Sequence, residues 1–498
     1  MGSGAPVAVD NSHPSDPTGP TGRLANWISE TTLQNVPSHI QTRAKHIILD
    51  GIACLLVGAH LPGSEVAARA IFDMEAPGTC TVFGWGGRKL SPLQAALLNS
   101  TFIQGFEIDD WHSEAPLHSN SLLLPALLAA AEHDASSELS TNKVTTGSDL
   151  LLATIVGFEV GPRVGLGLHG AHALTMGWHS GAIFGPSAAA ASTSKLLGLT
   201  PSQIEDALGI ACTQAGGLMS AQFGSDVKRM QHGFAARNGL FGTLLSRGGY
   251  TGIKRVYEEN YGGFLACFTR GNGKQPAYLS EEVAKELGTT WKIEGIRLKA
   301  YCGMAGTHCT VDCLRELQAK YLSQMKDFRK IKEIKIELGE AAFHHGGWLP
   351  KRPLTATGAQ MSNAYVAATQ IIDYAVSPLQ FRQDNLDRDE IWDLVGKVNC
   401  MEAKDRDLKF GQRVTVTFQG GNGDQASDPI VSELPGPRGV FPELSNEEII
   451  EKWRLLVTPL IDDSRRQKIE DLILNLESRE HLKELIELLS LPTKNPLA

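Results

Sequence analysis

Apolar residues recur at three- and four-residue spacing through most of the chain's first half. Residues 40–58 (IQTRAKHIILDGIACLLVG) show the pattern, and 93–106 and 121–133 repeat it. That period predicts helices that each bury one face. The stretch 181–198 (GAIFGPSAAAASTSKLLG) is crowded with Ala, Gly and Ser. Small side chains let helices approach closely, so this segment is expected to be a central, packed helix. Thr200, Pro201 and Gln203 read as a helix start, with a cap, a proline in the first turn and a capping box. The helix that follows runs IEDALGIACTQAG and ends near Gly216 and Gly217.

After Gly288 the texture changes. Residues 332–338 (KEIKIEL) and 413–418 (RVTVTF) alternate polar and apolar positions, the signature of half-buried strands. Helical patterns at 309–322 and 358–374 lie between them, and a Gly/Pro-rich stretch, 419–442, follows. Ser445 and Glu448 form another capping box, and 445–489 is helical again. The expected fold is therefore mainly α with a smaller α+β domain. Its parts are a disordered tail at 1–21, a large helical domain over 22–290, an α+β domain over 291–440, and helices at 441–498 packing back on the first domain. A chain of 498 residues is too long for one ordinary core, which agrees with two domains.

Composition narrows the function. With 42% hydrophobic and 20% charged residues the chain is globular, and its net charge of −9 argues against a nucleic-acid binder, which needs a basic face. An anionic substrate would have to be met by local Lys and Arg. The eight cysteines (Cys54, Cys80, Cys212, Cys267, Cys302, Cys309, Cys313 and Cys400) are scattered through a long chain. They read as reduced thiols of a cytoplasmic protein, not as a disulfide framework. Residues 1–21 have no basic start and no apolar run, so no signal peptide is expected. No stretch reaches the roughly 18 uninterrupted apolar residues of a membrane span, so no membrane association is expected.

Three motifs carry little. Gly165, Gly167 and Gly170 match G-x-G-x-x-G, but they follow a helical pattern, and no Asp or Glu occurs between 171 and 204 to take a ribose. Cys302, Cys309 and Cys313 with His308 fit no strong zinc template, so no metal is expected. Ser180, after Gly177, is one place off a nucleophile elbow.

The segment 107–118 differs. It packs four carboxylates (Glu107, Asp109, Asp110, Glu114) and two histidines (His112, His118) into twelve residues at the end of an apolar helix. Imidazole titrates near neutrality and a carboxylate can set its tautomer, so the cluster suits proton transfer. A solvated loop is the plain alternative. His179 precedes the small-residue helix, where a helix N-terminus favours anions. Lys228 with Arg229, and Arg297 with Lys299, are cation pairs in mainly apolar contexts. Each alone reads as a surface pair; together they would serve a polycarboxylate.

AKHIILDGIAC, DDWHSEAPLH, GWHSGAIFG, SKLLGLTPSQIEDALGIA, KRMQHGFAARNGL, EENYGGF and KAYCG occur in the order and spacing of the MmgE/PrpD family, and the chain resembles that family from about residue 22 to its end. DDWHSEAPLHS and IACTQAGGLMSAQFG resemble members that decarboxylate cis-aconitate to itaconate. The resemblance implies a large helical domain carrying most of the site, an α+β lid domain, a homodimer and no cofactor. It places catalytic positions on His118, His179, Lys228 and Lys299, with a lid contribution from Tyr365. The upstream acid of the family motif falls on Glu107 or Asp109, with Asp110 and His112 in support. The chemistry implied is loss of CO₂ from cis-aconitate through an allylic carbanion protonated by a histidine, His118 first. A 2-methylcitrate-type dehydratase or a non-catalytic polycarboxylate-binding protein would use similar motifs. A site split between domains further predicts a cleft closed by the 291–440 lid, with hinges near Gly288 and within 419–442.

Overall fold

A computed structural model describes residues 12–140, 143–404, 408, 410–419 and 428–497. The helical body is built around Ser180–Leu196, the small-residue segment, in which every residue from 180 to 194 is buried. Helices Ser119–Asp134, Gly147–Gly167 and Val227–Arg247 pack on it. The approach is as close as the composition predicts: a Cβ on Gly239 would stand 2.4 Å from that of Ala189. Thr200 caps Pro201–Cys212 and Ser445 caps Asn446–Val457, both through complete capping boxes. Helix Gly147–Gly167 is long and apolar enough to cross a membrane, but it is almost wholly buried inside the protein. The last two glycine-motif positions lie at and just beyond that helix's end, with no strand before them.

The second domain carries a four-stranded sheet in the order Val398–Glu402, Ile331–Leu338, Gln412–Phe418, Ile430–Leu434. The first pairing is parallel and the other two antiparallel. Ile334, Ile336, Leu338, Val414 and Val416 bury the alternating positions, with helices Ala305–Lys320 and Asn363–Asp373 packed nearby. Strand Ile430–Leu434 lies inside the Gly/Pro-rich stretch expected to be a hinge; residues 420–427 of that stretch fall outside the described residues. Cys309 and Cys313 turn their thiols to the backbone carbonyls of Leu434 and Gln412, and His308 donates to Gly303 O.

Three features differ from expectation. Of the tail expected to be disordered, residues 1–11 fall outside the described residues. Residues 12–21, however, dock on the body: Ser15 donates through backbone and hydroxyl to Glu205, and Thr21 donates to Glu258. The segment around Gly288 is pinned rather than free. Arg163 donates to the carbonyls of Lys285 and Thr290, and Glu159 accepts the backbone N–H groups of Lys292 and Ile293. Finally, strand Asp110–His112 pairs antiparallel with Ile296–Leu298, which ties the chain leading into the second domain to the acid-rich loop.

The C-terminal helix Asn446–Val457 packs on Ser38–Gly58, with Trp453 fully buried. From it Lys452 reaches an ion pair with the buried Asp50 at 2.7 Å and donates to Ile108 O at 2.7 Å. A helix more than 300 residues downstream thus fixes the backbone of the acid-rich loop.

Candidate active site

A cavity of ≈ 240 Å³ opens between the two domains. Glu107, Trp111, His118, His179, Lys228 and Lys299 line it. The second domain adds Met304, His345, Met361, Phe410 and Gln412. Most of the wall is apolar, so charges at its floor act in a weakly screening medium.

Glu107 is the electrostatic centre. It follows the 3₁₀ turn Gln104–Phe106 in a left-handed backbone conformation, φ 56°. Its carboxylate accepts from Lys228, Arg229 and Lys299, the last at 3.0 Å. Burial alone would raise its pKa; the three cations overcome that and hold it well below the ordinary value. Lys228 occupies the first turn of Val227–Arg247. Burial lowers its pKa to about 7, against the pull of Glu107. Lys299 arrives from the other side. Leu298 pairs with Asp110, so the next residue on that strand lies beside Asp109, with its Nζ 3.5 Å from Asp109 Oδ1.

His118 stands at the N-cap position of helix Ser119–Asp134. Its Nδ1 is 3.0 Å from Asp109 Oδ2, and Gln104 donates to the same oxygen at 2.9 Å. An Nδ1–H donated to Asp109 leaves Nε2 free to take or give a proton. Burial lowers the His118 pKa, with Asp109 opposing; burial also raises that of Asp109, but His118 and Lys299 bring it down to about 2. His179 stands at the N-cap position of Ser180–Leu196, where burial, then Lys228, depress its pKa to about 3.

Three residues of the sequence reading lie elsewhere. Asp110 accepts the backbone N–H groups of Ser119 and Asn120, at 2.8 and 3.0 Å, and so secures the start of the helix that carries His118; burial, then Asp109, raise its pKa to about 8. His112 donates from Nε2 to Lys292 O, and its Nδ1 accepts from the backbone of Glu114 and Ala115. That makes it a fastener of the loop, away from the cavity wall. Tyr365 is fully buried in the second domain; its hydroxyl donates to Gln380 O and its ring packs on Phe381. The second domain instead brings His345 to the cavity, both ring nitrogens shielded and, among the described residues, without a partner. Arg297, two residues before Lys299, pairs with Glu443.

Sequence reasoning underused three residues. Arg229, seen only as half of a charge pair, bonds Glu107, Gln104 and Gln360. Gln104 joins the cations to Asp109. His232 is fully buried between His118 and His179, with ring centres 5.0 and 4.9 Å away. Its one available signal was the i, i+4 spacing from Lys228, which shares a helix face with it.

Residues 22–277 match the MmgE/PrpD N-terminal domain and 301–478 the MmgE/PrpD C-terminal domain. The chain is 47% identical to the cis-aconitate decarboxylase-like protein oryM of Aspergillus oryzae, over 94% of this chain and 97% of that protein. It is 45% identical to the cis-aconitate decarboxylase of Aspergillus terreus, over 96% and 98%. The human cis-aconitate decarboxylase is similar at 24% identity, over 96% of each chain. With both domains matched in order and such likeness along nearly its whole length, the chain belongs to the MmgE/PrpD family.

Proposed function

We propose that this protein is a carboxy-lyase that converts cis-aconitate to itaconate and CO₂ without a metal or organic cofactor. The observation that carries the reading is that His118, held by Asp109, lines the same cavity as Lys228 and Lys299. The named relatives support the substrate.

The substrate's own structure makes the chemistry accessible. Loss of CO₂ from the CH₂ carbon leaves an allylic carbanion, delocalised through the C=C bond toward the far carboxylate. Protonation at the former vinyl carbon moves the double bond and gives itaconate. Charge balances when a trianion plus one proton becomes a dianion plus CO₂. Lys228 and Lys299 bind carboxylates and stabilise the charge that develops on the far one. His118, protonated once the anion is bound, delivers the proton from Nε2. His179 orients a carboxylate or shares that proton. The apolar wall of Trp111, Met304, Met361 and Phe410 excludes water from the carbanion. A cytoplasmic homodimer and a lid movement of the second domain belong to the same reading, on the strength of the family resemblance.

The test is to treat the purified protein with a chelator, add cis-aconitate in D₂O, and follow it by NMR. Itaconate carrying one deuteron on its saturated carbon is expected. Hydration or dehydration without CO₂ release would make the protein a hydro-lyase. Saturable binding without turnover would make it a polycarboxylate-binding protein. Activity lost on chelation and restored by one divalent ion would overturn metal independence.

A further inference from the structure

His232 lies outside the cavity wall, behind two residues that line it. Its side chain is fully buried, and among the described residues neither ring nitrogen has a hydrogen-bond partner. Such a group is uncommon and asks for an explanation. The ring is held tightly: a Cβ on Gly181 would stand 2.1 Å from His232 Nε2, so only glycine at that place leaves room for it. On either side stand His118 and His179, nearly perpendicular to it, with ring centres 5.0 and 4.9 Å away. An N–H···N bond of about 3 Å puts imidazole centres on the order of 5 Å apart. Small ring rotations are therefore enough to join all three.

We infer that His232 is a positioning residue that couples His179 to His118 and passes a proton between them. The inference rests on the decarboxylase reading for its purpose. That reaction consumes one proton per turnover, so His118 must regain a proton after each one. His179, itself buried, follows the exposed Met176 and Gly177 and lines the same cavity as His118, so a proton it takes up can be passed along the row. In the transfer, with the bound trianion favouring the imidazolium of His179, its N–H bond breaks as one forms on the near nitrogen of His232. The N–H on the far nitrogen of His232 breaks as His118 gains a proton on the nitrogen that Asp109 leaves free. Every bond broken is matched by one formed, and His232 ends neutral with its tautomer reversed. The charged groups around it are Lys228 on its own helix and Glu107 on the acid-rich loop, besides the two histidines. Among the described residues no carboxylate is bonded to it, and burial holds its pKa well below the ordinary value, so it conducts the proton without storing it.

His232→Phe keeps a ring against Gly181 and removes both nitrogens. Expected are a kcat lower by on the order of tenfold or more, a KM within about twofold, and partial recovery of kcat in imidazole buffer. Without substrate, the NMR titrations of His118 and His179 should also move. Should the larger ring disturb folding, seen as a lowered Tm, His232→Gln gives the same reading, because an amide fills the space and carries no proton. Wild-type kcat together with unchanged titrations of both histidines overturns the inference. Absence of itaconate from the wild-type reaction removes only the decarboxylase reading, because the titrations report the coupling without turnover.

Discussion

Lys299 Nζ lies 3.0 Å from Glu107 Oε1, across 192 residues of sequence, and the pairing of two three-residue strands brings it there. Lys228 and Arg229 meet the same carboxylate from the helical body. With Lys228 protonated, three buried cations against Glu107 and Asp109 leave a surplus of one positive charge, in a protein whose net charge is −9. The site thus attracts an anion that the protein as a whole repels.

Lys228→Ala and Lys299→Ala should each raise KM and lower kcat, since each charge acts on bound carboxylates and on the developing carbanion. Lys→Arg should restore only part of the loss, because a planar guanidinium does not fit where a compact ammonium does. Steady-state kinetics checks this; normal constants in both alanine variants would remove the lysines from the site.

His118→Ala should lower kcat by about 10²–10⁴-fold while the protein stays folded. Asp109→Asn should cost less, because the ring remains but its tautomer is no longer fixed. Retention of most of kcat in His118→Ala would move the proton donor to His179 or His345.

The pH profile follows from two depressed groups. His118 and Lys228 must both carry their protons to act. In the free protein His118 titrates below its ordinary value and Lys228 at about 7. kcat/KM, which reports the free enzyme, should therefore be highest on the acid side and fall as pH rises through neutrality. Bound trianion favours the imidazolium, so the corresponding limb of kcat should lie at higher pH. A kcat/KM that climbs through neutrality would contradict these roles.

His112→Ala and Tyr365→Phe should change stability more than chemistry. His112 fastens Lys292 O and the backbone at Glu114 and Ala115, and the Tyr365 hydroxyl serves Gln380 O. A lowered Tm with a nearly unchanged kcat per folded molecule is expected. A large loss of kcat at full stability in either variant would return it to the reaction.

Lys452→Met should destabilise the protein by about 3–5 kcal/mol, the usual effect of removing one partner of a buried ion pair. It also frees Ile108 O, so activity should fall with the loosening of the loop. Adding Asp50→Asn should recover a good part of the stability but not the loop contact. Denaturation of the single and double variants reads the difference.

Much of the fold was legible because helix and strand periodicity is local. The central small-residue helix, both capping boxes and the two alternating strands stand where the pattern puts them. The short strands Asp110–His112 and Ile296–Leu298 left no such trace, since three residues show no period. The acid-rich loop announced itself by composition, but its division of labour did not: Asp109 orients His118, Asp110 caps a helix, and His112 fastens a loop. By itself the sequence determined which residues could form helices, which faces they bury, and that acids, histidines and cations were available for proton chemistry on an anion. Only the tertiary structure decided that Lys299 lies beside Glu107, that His345 and not Tyr365 faces the cavity, and that His232 stands between two other imidazoles. The reason is physical. Periodicity specifies a side chain's direction relative to its own element, whereas a site needs directions relative to elements far away in sequence. Those are set by strand register and by the closeness of helix packing, neither of which a local pattern contains.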